Sequence, residues 1–261
     1  MINTLLITGG SSGIGLATVQ LFAERGWNVI ELSRHGLSQS NVQHIDCDVT
    51  DEENVFEAVQ QALKLTDHID VVIANAGYGI SGTVEFTPTK EVRHQFDVNF
   101  YGALHLAKAV LPQLRKQRGG TLIFTSSVAA TLSVPYQAFY SATKAAINAM
   151  ALALQNEVRD FGIHVSVLMP GDVATGFTAA RTKDESGEDI YPLAHKAVAV
   201  MENDEQNGMS PTQMAQDYWC IANKRYPAPQ YIGGTPYKVL CFLDRILPKR
   251  LVNWIEYKVY S

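Results

Sequence analysis

Two side chains near the middle of the sequence have the types and the spacing for proton transfer. Tyr140 and Lys144 lie in the stretch FYSATKAAINAM (139–150), about one helical turn apart, so on a helix they share a face. A Lys ammonium within about 4–6 Å favours the phenolate and lowers a tyrosine pKa by roughly 1–3 units. The hydroxyl then becomes a usable general acid for a carbonyl that accepts a hydride. A half-buried tyrosine covered by a lysine stem has the same spacing, so other motifs must decide.

A glycine-rich loop follows the first apolar run. The stretch TGGSSGIG (8–15) has a GxxxGxG spacing and opens a predicted helix. Glycines permit a tight turn and let the backbone approach a pyrophosphate at a helix N-terminus. The spacing differs from the common GxGxxG fingerprint, and a plain strand-to-helix turn is the alternative. The residues expected to contact a dinucleotide here are Gly9, Ser11, Ser12, Gly13, Ile14 and Gly15.

The end of the second predicted strand bears on which dinucleotide binds. Sites for NAD carry an acid about 20 residues beyond the glycine loop, where it binds the adenosine ribose. Ser33 and Arg34 stand there instead, and a guanidinium can pair with a 2′-phosphate. This favours NADP(H). A strand register two residues off would place Glu31 at the site, and Arg34 could be a solvated turn residue.

The elements that must position these residues alternate between short apolar runs and helical patterns. Their near-continuous apolar character predicts strands covered on both faces. We therefore predict an α/β fold, a doubly wound, mostly parallel, seven-stranded Rossmann-like sheet with helices on both faces. Residues 172–209 lack strong periodicity and are predicted to form an irregular, substrate-covering segment. The predicted strands are 4–8, 28–32, 42–46, 70–75, 121–126, 164–169 and 230–234; the predicted helices are 13–25, 51–65, 88–117, 137–161 and 211–223.

Six motifs in one order resemble the short-chain dehydrogenase/reductase family. They are TGGSSGIG (8–15), ANAG (74–77), DVNFYG (97–102), Ser127, YSATK (140–144) and PGDVAT (170–175). The resemblance is close over about 4–175 and looser beyond. It departs from the commoner pattern at Ala74, where Asn is usual, and at Thr143, where Ser is frequent. It implies an oxidoreductase of the single-domain Rossmann type with the catalytic set Asn99, Ser127, Tyr140 and Lys144.

The resemblance also implies a task for each member of this set. Ser127, chosen over its neighbour Ser126, would hydrogen-bond the substrate oxygen and stabilise the developing negative charge. Asn99, inside the predicted helix 88–117, would bind a water that links Lys144 to solvent. Lys144 would hold the nicotinamide ribose and tune Tyr140, which would serve as general acid or base.

Further cofactor contacts follow from the same resemblance. Asp48 and Val49 would flank the adenine, although Asp48 could equally serve local turn or capping chemistry. The turn at Asn75, Ala76 and Gly77 would line the adenosine ribose. At the nicotinamide end the expected residues are Pro170, Gly171, Val173 and Thr175.

Composition and charge exclude several classes of function. The 261 residues carry a net charge of −5, which argues against a general affinity for nucleic acid. Three separated cysteines and scattered histidines predict neither a disulfide framework nor a metal site. No export signal or apolar run of about 18 residues is visible, so we expect a soluble, cytoplasmic protein.

The C-terminal 26 residues differ in character from the rest. We predict a catalytic domain at 1–235 and an amphipathic helical tail at 236–261, broken at Pro248. Five basic side chains against two acids give the tail a net charge of +3, which leaves −8 on the remaining chain. Such a tail could pack as an ordinary terminal helix, cover the substrate cleft, join subunits or lie on a membrane surface.

These observations predict an NADP(H)-dependent oxidoreductase that interconverts a carbonyl and an alcohol. The usual cellular excess of reduced NADP favours reduction, and apolar residues in 172–209 favour an apolar ketone, aldehyde, steroid or lipid-like substrate. The alternatives are an NAD-dependent alcohol dehydrogenase and, in a different class, a dinucleotide-binding redox sensor without turnover. A sensor would have no need for Ser127, Tyr140 and Lys144 together. Family habit further predicts a homo-oligomer built on the helices around 88–117 and 137–161.

Overall fold

A single parallel sheet organises the protein. The computed structural model describes residues 2–36, 38–187 and 189–260. Seven strands lie in the order β3-β2-β1-β4-β6-β7-β9, all of them parallel, which confirms the predicted fold class. The main-sheet strands are β1 (Thr4–Thr8), β2 (Asn28–Ser33), β3 (Val42–Asp46), β4 (Val71–Ala74), β6 (Gly120–Thr125), β7 (Ile163–Met169) and β9 (Gln230–Ile232); β5 (Ile80–Ser81) and β8 (Thr182–Lys183) form a separate pair.

Helices cover both faces because alternate side chains of each strand enter different cores. The helices are α1 (Gly13–Glu24), α2 (Glu52–Leu65), α3 (Thr89–Phe96), α4 (Gly102–Gln117), α5 (Ala138–Glu157), α6 (Phe177–Ala180), α7 (Ala194–Gln206), α8 (Pro211–Ala222), α9 (Thr235–Ile246) and α10 (Lys249–Tyr260). Leu6 and Ile30 belong to the core under α2, α4 and α5, whereas Leu5, Ile7 and Val29 belong to the core under α1 and α8.

The prediction of one continuous helix at 88–117 is wrong at a point that matters for the site. A π-helical turn, Asp97–Tyr101, separates α3 from α4 and contains Asn99. Asn99 is fully buried, and its side chain hydrogen-bonds the backbone of Tyr78. These bonds hold the side chain toward the protein interior at the point where the regular helix is interrupted. Turns of this kind are frequent at functional sites.

The segment 172–209 is more regular than the sequence suggested. It contains α6, β8 and α7, and the last of these buries Ala194, Ala197 and Met201 at helical spacing. Two of these buried residues are alanines, which give only a weak apolar periodicity and explain the wrong prediction. Helix α5 also ends earlier than predicted, because a 3-10 turn at Arg159–Phe161 leads into left-handed Gly162.

The C-terminal region forms two helices of 12 residues each, α9 and α10, and Pro248 lies in the break between them. The division into a catalytic domain at 1–235 and a tail at 236–261 stays a prediction. Within the described ranges, no helix combines the length and the apolar character that crossing a membrane requires.

Candidate active site

One cavity of about 1180 Å³ lies at the carboxyl ends of the central strands. Open α/β sheets bind their ligands at this edge. Every residue predicted to contact the cofactor lines it: Gly9, Ser11, Ser12, Gly13, Ile14, Gly15, Ser33, Arg34, Asp48, Val49, Asn75, Ala76, Gly77, Tyr140, Lys144, Pro170, Gly171, Val173 and Thr175. Ser127 also lines the cavity, whereas Asn99 lies outside its lining.

The glycine loop has a geometry that larger residues would prevent. Gly13 has a φ of +52°, which L side chains rarely adopt, and a Cβ on Gly15 would lie 2.0 Å from the carbonyl oxygen of Gly9. Helix α1 begins here, and its N-cap Ser12 makes no side-chain capping bond among the described residues. The N-terminal N–H groups of α1 therefore form a cradle that fits a phosphate.

Asn75 connects the loop to the neighbouring strand. Its Nδ2 donates to the carbonyl oxygens of Thr8 at 3.2 Å and Gly9 at 3.0 Å. The backbone N–H groups of Asn75 and Ala76 donate to Thr8 Oγ1. Asn75, which lies in the turn expected to line the adenosine ribose, therefore also holds the phosphate loop in position.

Arg34 and Glu31 play different parts in the structure. Arg34 is exposed and lines the cavity beside Asp48. Burial tends to raise the pKa of Asp48, but hydrogen bonds from Thr50 and the charge of Arg34 outweigh it, so that pKa is lowered. Glu31 is 3% exposed and lies outside the lining of this cavity.

Glu31 has partners of its own. Its carboxylate accepts hydrogen bonds from the Gly10 N–H at 3.0 Å and from His44 Nδ1 at 2.6 Å. Glu31 therefore holds Gly10, the second glycine of the loop, in place. The alternative register, in which an acid would read the ribose, is not the one the strand adopts.

Tyr140, Ser127 and Lys144 meet at the floor of the cavity. The Ser127 side chain lies beside the Tyr140 hydroxyl and favours its ionised form, and Lys144 Nζ lies 5.6 Å from the centroid of the Tyr140 ring. Burial raises the pKa of Tyr140 to about 12. Ser127 and the charge of Arg181 oppose this rise, whereas Glu205 and Asp172 add to it. The lowering expected from Lys144 is therefore not observed, and Tyr140 keeps its proton at neutral pH.

Lys144 is almost fully buried, at 4% exposure. Its Nζ donates to the carbonyl oxygen of Thr125 at 2.9 Å, and burial lowers its pKa to about 8. A Cβ on Gly77 would lie 3.5 Å from Nζ, so the ANAG turn leaves room for the ammonium. The group is charged below pH 8 and loses its charge above it.

The two neighbouring serines differ in their partners. Ser126 is 2% exposed and donates to the carbonyl oxygen of Lys144 at 3.0 Å. Ser127 caps the 3-10 turn Val128–Ala130 by accepting from the Ala129 N–H at 3.1 Å, and it also contacts Tyr140. The geometry therefore ties Ser126 to helix α5 and leaves Ser127 at the tyrosine hydroxyl.

The side-chain amide of Asn99 is already engaged by the protein. Its Oδ1 accepts from the Tyr78 N–H at 3.0 Å, and its Nδ2 donates to the Tyr78 carbonyl oxygen and to Thr143 Oγ1. Asn99 Oδ1 would lie 3.2 Å from a Cβ on Gly77, close to the space that Lys144 occupies. The predicted role of Asn99, to bind a water that links Lys144 to solvent, stays a prediction.

Three contacts at the site could not be read from the sequence. The Phe177 ring packs 5.7 Å from the Tyr140 ring, in an edge-on arrangement. Tyr237, from α9, donates to Asp172 Oδ2 at 2.5 Å and covers Gly171, where a Cβ would meet the tyrosine ring at 2.2 Å. Phe177 lies in the segment predicted to cover a substrate, but the Tyr237 contact joins residues 65 apart and leaves no local signal.

The phosphate loop and the predicted nicotinamide end of the site lie close together. A Cβ on Gly13 would lie 3.5 Å from the Thr175 side chain, which belongs to the predicted nicotinamide end. Among the residues described, no group of three or more His, Cys, Asp or Glu side chains has the arrangement to hold a metal ion. The site as a whole fits a bound dinucleotide, from the phosphate cradle to the buried Tyr140.

Comparison with known proteins agrees with this geometry. Residues 3–186 match the family model described as short chain dehydrogenase. A 3-ketodihydrosphingosine reductase of Bacteroides thetaiotaomicron is 37% identical over 227 residues, which cover 85% of this chain and 84% of that protein. A probable short-chain type dehydrogenase/reductase, VdlC of Helicobacter pylori, is 32% identical over 258 residues, or 96% and 94% of the two chains.

The fold has close counterparts among solved structures as well. A short-chain dehydrogenase from Streptomyces avermitilis superimposes with a TM-score of 0.83 at 26% identity and covers 99% of this chain and 97% of its own. The chain belongs to the short-chain dehydrogenase/reductase family of oxidoreductases.

Proposed function

We propose that this protein is an NADP(H)-dependent reductase that converts a carbonyl into an alcohol, with Tyr140 as the general acid. The observation that carries the proposal is the position of Ser127 at the Tyr140 hydroxyl, beside the buried Lys144. All three side chains lie on the wall of the cavity that the predicted cofactor residues also line.

Ser127 and Tyr140 have separate roles in the proposed reaction. Bound NADPH would supply the hydride. Ser127 holds the substrate oxygen beside the Tyr140 hydroxyl, and Tyr140 gives its proton to that oxygen as negative charge develops there. Because the pKa of Tyr140 is raised to about 12, the proton is present at neutral pH, which suits reduction better than oxidation.

The preference for NADPH rests on Arg34. Its guanidinium lines the cavity at the end of β2, whereas the nearby acid Glu31 is buried and bound to Gly10 and His44. A positive charge in this position favours a 2′-phosphate, and a committed carboxylate is not available to bind a bare ribose.

The cavity wall beyond Tyr140 indicates the kind of substrate. Phe177 and Met201 give it an apolar surface near the tyrosine, and Leu243, Val252 and Ile255 extend that surface into the tail. Such a lining suits a long hydrocarbon chain. The related enzyme from Bacteroides is named for a long-chain ketone, which supports the same substrate class here.

Carboxylates also line this end of the cavity, at Asp172, Asp204, Glu205, Asp244 and Glu256. Arg181 pairs with Glu205 and Lys249 pairs with Asp244, so the negative field comes mainly from the other three, and it disfavours a substrate that carries a negative charge. We therefore propose a long-chain ketone whose polar end is neutral or bears an amine, and we expect long-chain keto acids to be poorer substrates.

A substrate series tests this proposal. NADPH oxidation is followed with a long-chain 2-amino-3-ketone, its N-acetylated analogue, a 3-keto acid of equal chain length and a short-chain amino ketone as the length control. We expect turnover of the first two and at least a tenfold lower kcat/KM for the other two. Faster reduction of the keto acid than of the amino ketone would contradict the electrostatic argument. Equal rates for the short-chain and long-chain amino ketones would contradict the argument from the apolar cavity lining.

Three further predictions accompany this proposal. We propose a homo-oligomer, since Ala142, Ala145 and Ala149 expose small side chains along α5 and allow another helix to approach closely. Sedimentation velocity at two concentrations measures the assembled mass. The division at residues 235 and 236 and a cytoplasmic location stay predictions, which limited proteolysis and cell fractionation test.

A further inference from the structure

The C-terminal helices α9 and α10, here called the tail helices, expose an unusually large apolar surface. Ten large apolar or aromatic side chains in these 24 residues are between 38% and 61% exposed, and a patch of this kind marks an interaction site. They are Val239, Leu240, Phe242, Leu243, Ile246, Leu251, Trp254, Ile255, Tyr257 and Val259.

The basic residues of the tail helices are exposed to solvent, whereas the acidic residues line the cavity. Every exposed charged residue in the described tail, 235–260, is basic: Lys238, Arg245, Lys249, Arg250 and Lys258. The two acids are withdrawn, because Asp244 is 8% exposed and both Asp244 and Glu256 line the cavity. Lys249 pairs with Asp244, which leaves the charges of Lys238, Arg245, Arg250 and Lys258 to face outward. The outer surface of the tail is therefore positive, on a protein whose other residues carry −8.

The dimensions fit a helix pair that lies on a bilayer and does not cross it. Each tail helix has 12 residues. At about 1.5 Å per residue it is much shorter than the roughly 30 Å hydrocarbon core of a membrane. Helices with one apolar side, basic flanks and interfacial Trp and Tyr residues bind in the plane of the interface.

We propose that the tail helices dock this protein on the surface of an anionic lipid bilayer. The apolar side chains enter the headgroup region, and the basic side chains pair with lipid phosphates. A second copy of this chain fits less well, because a two-fold contact brings the same patch against itself and would place five basic residues opposite five others.

The cavity opens at the same surface. Leu240, Leu243, Ile255 and Val259 line the cavity and are also 38–53% exposed. Docking would therefore place the mouth of the site against the bilayer, from which a long-chain ketone could enter without passing through water. This route rests on the proposed function, whereas the docking itself does not.

Vesicle binding without substrate or cofactor tests the docking independently of the reaction. The full-length protein is sedimented with phosphatidylcholine vesicles and with vesicles containing 30% phosphatidylglycerol, at low and high salt. Trp254 is 57% exposed in the tail, whereas Trp27 is buried and the partly buried Trp219 packs against Trp27, so Trp254 is the tryptophan whose emission reports contact of the tail with lipid. We expect binding to the anionic vesicles, a blue shift that Trp254→Phe abolishes, and weakening by salt.

Two sets of variants separate charge from apolar contact. The combined variant Lys238→Gln, Arg245→Gln and Arg250→Gln should lower the partition coefficient on the order of a hundredfold at low salt. Phe242→Ser with Trp254→Ser should lower it at least tenfold. The matched controls are Lys64→Gln, Lys90→Gln and Lys116→Gln for charge, and Val84→Ser with Ile190→Ser for exposed apolar residues elsewhere; both should bind like the parent protein.

Three results would overturn the docking proposal. One is that the protein does not sediment with anionic vesicles. Another is that the control variants lose as much vesicle binding as the tail variants do. The third is a parent dimer that Phe242→Ser with Trp254→Ser converts to monomers, which would assign the face to a second copy. If vesicles bind but no long-chain ketone is reduced, the docking stands and the proposed substrate fails.

Discussion

Replacing Arg34 with glutamine tests how the site selects its cofactor. Arg34 is exposed at the end of β2 and lines the cavity, so its interaction with a 2′-phosphate is partly screened by water. A hydrogen bond to a charged group contributes about 1.5–3 kcal/mol, and exposure places this one at the lower end. Arg34→Gln should therefore weaken NADPH binding by roughly 10- to 30-fold, since about 1.4 kcal/mol is a tenfold change.

Calorimetry with NADPH and NADH at equal ionic strength measures the effect. Binding of NADH should change by less than twofold, and the preference of the parent protein for NADPH should shrink as salt is raised. Arg225→Gln, an exposed arginine that does not line the cavity, is the matched control and should leave both affinities unchanged. Equal loss of NADPH and NADH binding, or no loss, would refute the assignment of Arg34.

Three other predictions follow from the same site. The rate of reduction should fall as pH rises through about 8, because the lowered pKa of Lys144 makes its ammonium lose its proton there; a pH profile measures this, and Lys144→Arg should move the fall to higher pH. Glu31→Gln weakens the buried support of Gly10 and should lower the free energy of unfolding by about 1–3 kcal/mol in urea, with the ratio of NADPH to NADH affinity unchanged. Gly15→Ala would place a Cβ 2.0 Å from the carbonyl oxygen of Gly9, so the loop must shift, and calorimetry should show at least a tenfold loss of NADPH affinity.

Much of this architecture could be predicted because it depends on local patterns. All seven main-sheet strands were expected from apolar runs, and the glycine loop and Tyr140–Lys144 spacing are legible at short range. The structure brings every predicted cofactor residue to one cavity, because the ends of parallel strands meet at one edge.

The features that could not be predicted from the sequence depend on contacts between residues that are distant along the chain. The π-helical turn around Asn99 requires the backbone of Tyr78, which lies 21 residues earlier. The raised pKa of Tyr140 comes from burial by elements far apart in sequence, so a spacing of four residues could not reveal it. The bond from Tyr237 to Asp172 joins the tail to the site and likewise leaves no trace in local composition.

The central claim is that Tyr140 donates the proton during carbonyl reduction. The most direct measurement is a single-turnover experiment with Tyr140→Phe, which keeps the ring against Phe177 and removes only the hydroxyl. We predict that NADPH affinity stays within about twofold while the rate of NADPH oxidation falls by at least 10²-fold, the contribution typical of a general acid. A variant that binds NADPH and reduces ketone at close to the parental rate would contradict the claim.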